Sequence, residues 1–230
     1  MTALLAGAAL VLTSGCTLGE DDEMVPPTRT VTATPSPATT AVPSSVPVGQ
    51  GAVSSADVVW AQGNVLHVGG RDIDLSPVGI EAFVVVPGGV FVVNSGELWF
   101  TDLSRLRGTG LTGVTSLGVT ADGSRLLVTR EPSGAEATYA FDTGTGRAVR
   151  SDGLTAVSSE ERLRGPDRSR VPVPKGFEIA GWAGPTTFYG LVHRDGRPAS
   201  VVSCDVRTRA CATSGAVQGD EPVVFGTGVE

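Results

Sequence analysis

The sequence predicts an all-β protein assembled from repeated four-strand units, and three observations predict it. Gly and Pro are abundant, 31 and 15 of 230 residues, while only 18% of residues are charged. With many Val and Thr, this is the composition of short strands joined by many turns. The body of the chain has no stretch of ten or more residues with a sustained helical period. The third observation is a register mark: an aromatic or apolar residue and then Asp ends the third strand of successive units, in Phe100-Thr101-Asp102, Ala140-Phe141-Asp142 and Ser203-Cys204-Asp205. Asp102 and Asp142 stand 40 residues apart, the period of a four-stranded repeat. Asp142 and Asp205 stand 63 apart, and the excess falls in the polar, strandless stretch Ser151–Gly176, which is predicted to be an inserted loop.

The N-terminus reads as an address. Ala3–Leu12 is a ten-residue apolar run, too short to span a bilayer and the size of a signal-peptide core. Thr13-Ser14-Gly15-Cys16 follows, and these residues resemble the lipobox of bacterial lipoproteins, with Thr13 where that family most often has Leu. The resemblance implies a signal peptide over residues 1–15 and a lipid-modified Cys16; the alternative is an ordinary secretory signal. Diacylglycerol supplies the two chains that stable anchoring requires. High Ala, Gly, Arg and Val with little Lys or Asn is also the usage of a GC-rich, actinobacterial-type genome.

Residues 16–54 are rich in Thr, Pro and Ser, with an acidic cluster at Glu20–Glu23 and no aromatic residue. Such a segment cannot build a core, and a disordered stalk is predicted, open to O-glycosylation.

The body, residues 55–230, follows in four units. Asp57–Leu75 gives three strands with Gly at each turn, which supplies the positive φ that tight hairpins need. Ile80–Leu111 gives three strands and a weak fourth. Gly113–Arg150 is the cleanest copy, and Phe177–Thr213 is the last. Pro222–Gly226 is one spare strand. Here the body resembles WD40-like and TolB-type β-propeller repeats: Thr120-Ala121-Asp122-Gly123-Ser124-Arg125 matches the "pDGsr" turn and Phe141-Asp142-Thr143-Gly144-Thr145-Gly146 the "yDl.TG" turn of that family. The resemblance implies a small array of about four antiparallel blades, in which the C-terminal strand completes the three-stranded first unit. An incomplete ring and a β-sandwich are the alternatives.

Net charge is −7, of which −3 precedes residue 51, leaving a mildly acidic body. That argues against nucleic acid and against a polybasic membrane patch. If Cys16 carries lipid, Cys204 and Cys211 remain as an even pair on neighbouring strands across a turn, where a structural disulfide is expected. There is no CxxC and no GxSxG, HExxH, P-loop or EF-hand pattern, so no catalytic residue, metal or cofactor is expected. His67 and His193 are expected at surface or turn positions. Asp102, Asp142 and Asp205 are expected to accept hydrogen bonds from their own turns. Trp60, Trp99, Trp182, Phe188 and Tyr189 lie in strands and are expected to pack between blades.

The candidate recognition element is the insertion. Arg162, Arg164, Arg168, Arg170 and Lys175 fall close together in it, suiting a mobile basic loop that meets anionic cell-wall polymer or an acidic envelope protein. The sequence reading is a lipid-anchored, extracytoplasmic, non-catalytic binding or scaffolding module of the cell membrane. A propeller-type hydrolase or lyase and an extracellular sensor are the alternatives.

Overall fold

The computed structural model describes residues 28–34, 42–51, 53–54, 56–131, 134–194 and 197–226. Cys16, the apolar run before it, and residues 17–27 and 35–41 of the expected stalk lie outside these.

Two short strands come first, β1 (Arg29–Thr30) and β2 (Thr32–Thr34). Four antiparallel units follow. The first contains β3 (Val59–Gln62), β4 (Val65–Val68) and β5 (Arg71–Asp74). The second contains β6 (Ala82–Val86), β7 (Gly89–Asn94), β8 (Glu97–Thr101) and β9 (Arg105–Gly108). The third contains β10 (Val114–Val119), β11 (Arg125–Arg130), β12 (Ala137–Asp142) and β13 (Ala148–Val149). One helical turn, α1 (Ser159–Leu163), precedes the fourth unit of β14 (Phe177–Ala183), β15 (Thr187–Arg194), β16 (Arg197–Asp205) and β17 (Ala210–Ala216). The chain ends in β18 (Val223–Phe225). The fold is all-β and propeller-like.

Turn chemistry explains the register. Asn94 faces Glu97 across a two-residue loop in which Ser95 and Gly96 both have positive φ, 50° and 72°. Val68 faces Arg71 across Gly69 and Gly70, at 54° and 79°. Two successive positive φ angles define the hairpin turn whose twist matches that of its strands.

β18 pairs antiparallel with β3, placing Val224 opposite Ala61, so the first sheet takes its inner strand from the C-terminus. β6 lies against both β18 and β10. The first and second sheets enclose Leu66, Ile73, Leu75, Phe83 and Leu106. The second and third enclose Phe91, Phe100, Leu126 and Phe141. The fourth sheet packs on the first through Trp60, Val201 and Phe225. Fully burying a Phe or Leu side chain stabilises the fold by about 1.5–3 kcal/mol relative to exposing it. Phe100 and Phe141, in the seam between the second and third sheets, are each 0% exposed, and so is Phe188, which lies between the fourth sheet and Val171 of the insertion.

The segment expected as a free stalk is in part bound to the sheets. β1 adds in parallel to the outer edge of β5, with Arg29 opposite Ile73, and β2 adds in parallel to β9, with Ala33 opposite Leu106. Val31, between them, is 2% exposed and belongs to the first seam. Farther on, Ser45 bridges Arg147 and Val46 enters the second seam. The segment is a strap along three outer edges. It holds by backbone hydrogen bonds and two buried Val side chains, which a Thr/Pro-rich composition does not advertise.

Candidate functional site

The repeat-equivalent Asp residues are turn formers. At each, one carboxylate oxygen accepts the N–H groups two and three residues on. These come from Ser104 and Arg105 at Asp102 (3.0 and 2.9 Å), Gly144 and Thr145 at Asp142 (3.2 and 2.8 Å), and Arg207 and Thr208 at Asp205 (2.9 and 2.8 Å). Asp122, in the loop between β10 and β11, accepts from the Thr120 hydroxyl at 2.6 Å and the Ser124 hydroxyl at 2.7 Å. The Thr120 and Ser124 hydrogen bonds hold its pKa at about 2. Cys204 and Cys211 face each other across the β16–β17 hairpin and are joined by a disulfide, with Cα atoms 4.0 Å apart.

His67 departs from the surface position expected of it. It stands opposite Trp60 on neighbouring strands, and the rings stack at 3.6 Å with planes 10° apart. Its Nδ1 is 2.6 Å from an Asp72 carboxylate oxygen. Burial pushes the imidazole pKa down more than Asp72 raises it. His193 is exposed, 3.8 Å from Glu178. Among the described residues no group of three or more His, Cys, Asp or Glu gathers as metal ligands.

The insertion is built into the body, where a mobile loop was expected. The Val157 N–H donates to the Val119 carbonyl at 2.9 Å, tying the insertion to β10. Ser158 caps α1 by accepting the Glu161 N–H at 3.1 Å, while the Glu161 carboxylate accepts the Ser158 N–H at 2.8 Å. This reciprocal box satisfies two of the open donors of the helix start. Gly165 lies flat on Trp182, where an added Cβ would come 2.0 Å from the ring. Val171 is buried against Trp182, Phe188 and Val192 of the fourth sheet. Both halves of the insertion are anchored, one by a backbone hydrogen bond and one by apolar burial.

So anchored, the insertion spans from the third sheet to the fourth and forms a recess of about 100 Å³ with them. Val157, Glu161 and Arg162 supply one wall, and Gly181, Trp182 and Tyr189 the other. The recess continues past Ala121, Val157 and Glu161 into a groove of about 480 Å³ that runs beside Asp122, Ser124 and Arg125. Burial pushes the Tyr189 hydroxyl pKa up, while the Arg162 charge pulls it down. Nε of Arg162 is buried and has no hydrogen-bond partner among the described residues. Trp182 donates its Nε1–H to the Leu163 carbonyl at 3.4 Å, fixing the helix over the aromatic wall.

Of the five basic residues singled out in the sequence, Arg162 alone lines the recess. Arg164, Arg168, Arg170 and Lys175 are exposed along the rest of the insertion. Among the described residues none of the five forms a salt bridge. Of the strand aromatics, Trp60, Trp182, Phe188 and Tyr189 are buried and Trp99 is half-buried, and Trp182 and Tyr189 also face the recess. Their place there was not legible, because it depends on where the insertion folds back. The capping box of α1 had left a signal, the S-x-x-E of Ser158–Glu161.

No family model and no curated protein matches the chain. Among solved structures it is similar to a TolB-type protein from Agrobacterium tumefaciens, at 15% identity over 68% of this chain and 52% of that one, with a TM-score of 0.27. It is similar to TolB from Acinetobacter baumannii at 16% identity, over 76% and 45%, with a TM-score of 0.28. A eukaryotic initiation factor gives 14% identity over 72% and 53%, with a TM-score of 0.28. The chain spans about half the length of each of these structures.

Proposed function

We propose that the protein is a lipid-anchored, extracytoplasmic binding module of the cell envelope, which receives an anionic group in the recess beside Arg162. The observation that carries this reading is the buried Arg162 Nε, which has no hydrogen-bond partner among the described residues, in a residue that lines the recess with Trp182 and Tyr189. A guanidinium partly removed from water gains most from an anion that restores its hydrogen bonds. Exposed Arg164, Arg168, Arg170 and Lys175 add a positive field over the same insertion, which favours a polymer carrying repeated phosphate or carboxylate groups, or an acidic protein segment. Glu161 lines the same recess and keeps its negative charge while it accepts the Ser158 N–H, so it offsets part of this field. The anchor rests on the Thr13–Cys16 pattern in the sequence.

Two measurements test the reading. Binding of the protein to isolated anionic cell-wall polymer should weaken about tenfold in Arg162→Ala, the size of one lost charged hydrogen bond, and should weaken with salt. Binding that is unchanged by this substitution removes the recess from the function. Radioactive fatty acid fed to cells should label the wild type and leave Cys16→Ala unlabelled; equal labelling of both removes the anchor.

A further inference from the structure

The recess beside Arg162 also carries a negative charge. Glu161 lines both the recess and the groove beyond it, so this exposed residue stands where the one opens into the other. The Ser158 N–H and hydroxyl hold its pKa below the usual carboxylate range, and it is ionised at neutral pH. The Ser158 N–H bond uses Oε2, and among the described residues Glu161 forms no salt bridge. A simple anion beside Arg162 therefore meets repulsion from the neighbouring residue. A ligand with an ammonium next to its anion is attracted by both.

Tyr189 supplies a second donor. Its hydroxyl is buried, and its partner is the Gly226 carbonyl at 3.5 Å, at the outer limit of a hydrogen bond. The Arg162 charge acts on this hydroxyl, which marks the two groups as neighbours. Arg162 Nε and the Tyr189 hydroxyl are thus two under-used buried donors, and a carboxylate satisfies both. Trp182 is no platform for a sugar ring or a base, because Gly165 already lies on its ring and Phe188 packs 5.4 Å away.

Size narrows the ligand further. A cavity of about 150 Å³ holds a benzene ring, so a recess of about 100 Å³ takes roughly four or five heavy atoms. The head group of an α-amino acid, with its nitrogen, Cα and carboxylate, is of this size. A side chain on that Cα leaves past Glu161 into the groove of about 480 Å³, lined by small and polar residues such as Thr120, Ser124 and Thr155.

We infer that the recess binds the head group of an α-amino acid, its carboxylate on Arg162 and Tyr189 and its ammonium on Glu161. This rests on the reading of Arg162 as the receiver of an anion, and it says which anion. The amino acid is either free or tethered through its side chain to an envelope polymer, and the recess meets the same chemistry in both.

Calorimetry and Trp fluorescence on the full chain test the inference, with glycine, glutamine and lysine in both hands as probes. All should bind, because the head group carries the recognition, and N-acetylglutamine and the α-amide of glutamine should bind at least tenfold more weakly than glutamine. Glu161→Gln keeps the capping box, since Gln serves at that position, and should bring N-acetylglutamine and glutamine close to parity. Tyr189→Phe and Arg162→Ala should each weaken glutamine, the second by at least tenfold. Thermal melts show that each variant is folded. Acetylating the free amines of isolated cell-wall polymer tells the sources apart: lost binding assigns a tethered amino acid, and unchanged polymer binding beside bound glutamine assigns a free one. Absence of binding by every amino acid overturns the inference. So does N-acetylglutamine or inorganic phosphate binding as tightly as glutamine to the unaltered protein; if Arg162→Ala still weakens that binding, the anion reading stands without the amino acid. Arg162→Ala leaving phosphate and polymer binding unchanged overturns the anion reading itself.

Discussion

Asp122 and its repeat-equivalent relatives show how single carboxylates set the turns. The Thr120 and Ser124 bonds hold Asp122 at a pKa of about 2, against 3.8 for the free side chain. Asp142 is lowered by the Thr145 amide and hydroxyl, and Asp205 by the Thr208 amide and the Thr186 hydroxyl. A lowered carboxylate pKa means that the folded state binds fewer protons than the unfolded state, so stability is present above the unfolded pKa and lost as pH falls through the folded one. The urea midpoint should therefore stay level above pH 5 and drop steadily from about pH 4 toward pH 2, and Asp122→Asn should flatten part of that drop. These residues were legible because an Asx turn is written in adjacent positions. His67 was not, because its partners Trp60 and Asp72 come from the strand pairing on either side of it. Gly165 makes a second prediction. A Cβ there would enter the Trp182 ring, so Gly165→Ala should lower stability by about 1–3 kcal/mol, the usual cost of overpacking, and loosen the recess. Gly144→Ala is the control, since its added Cβ meets nothing nearer than 3.6 Å. Thermal melts with Trp fluorescence separate the two.

Strands were read well where turns carried the information. The β4 bounds follow directly from its flanking Gly residues, and β10 to β12 from their Asp-Gly and Thr-Gly turns. The strap strands were missed for a physical reason. β1 and β2 attach by main-chain hydrogen bonds with mostly exposed side chains, and main-chain pairing leaves no trace in side-chain periodicity. α1 is five residues long, too short for a helical period to show. The β16–β17 hairpin carries the disulfide prediction of this scale. Closing its short loop by the Cys204–Cys211 bond should contribute about 2 kcal/mol through the unfolded state. Reduction, or Cys204→Ala with Cys211→Ala, should lower the urea midpoint with little change in the folded-state spectrum. Non-reducing peptide mapping should recover the two cysteines as one linked species.

Four sheets with mutual seams were foreshadowed by the spacing of Asp102 and Asp142, because a repeat that cannot bury both faces alone must stack on its neighbours. What the spacing did not carry was the place of the insertion. It lies between the third and fourth sheets and builds the recess there, an outcome decided by Val157, Gly165 and Val171 and not by its basic residues. The C-terminal strand gives the prediction for the whole molecule. Removing residues 222–230 would strip β3 of its inner partner and open the Trp60, Val201 and Phe225 seam. The melting temperature of the whole body should fall in a single transition; an unchanged value would separate the C-terminus from the rest of the fold.

The pairing of β18 with β3 also sets a timetable. Val59–Gln62 is synthesised well before Val223–Phe225, so the first sheet stays unfinished while the intervening chain emerges. Contacts between distant parts of a sequence form slowly, because the loop between them must be ordered before they repay its entropy. Through that interval the inner edge of β3 is bare, and nearby chains offer strands of similar kind. The mature molecule is thus reached through a nascent one with a long-lived open edge, and assembly at high expression should be limited by that waiting time more than by the stability finally attained.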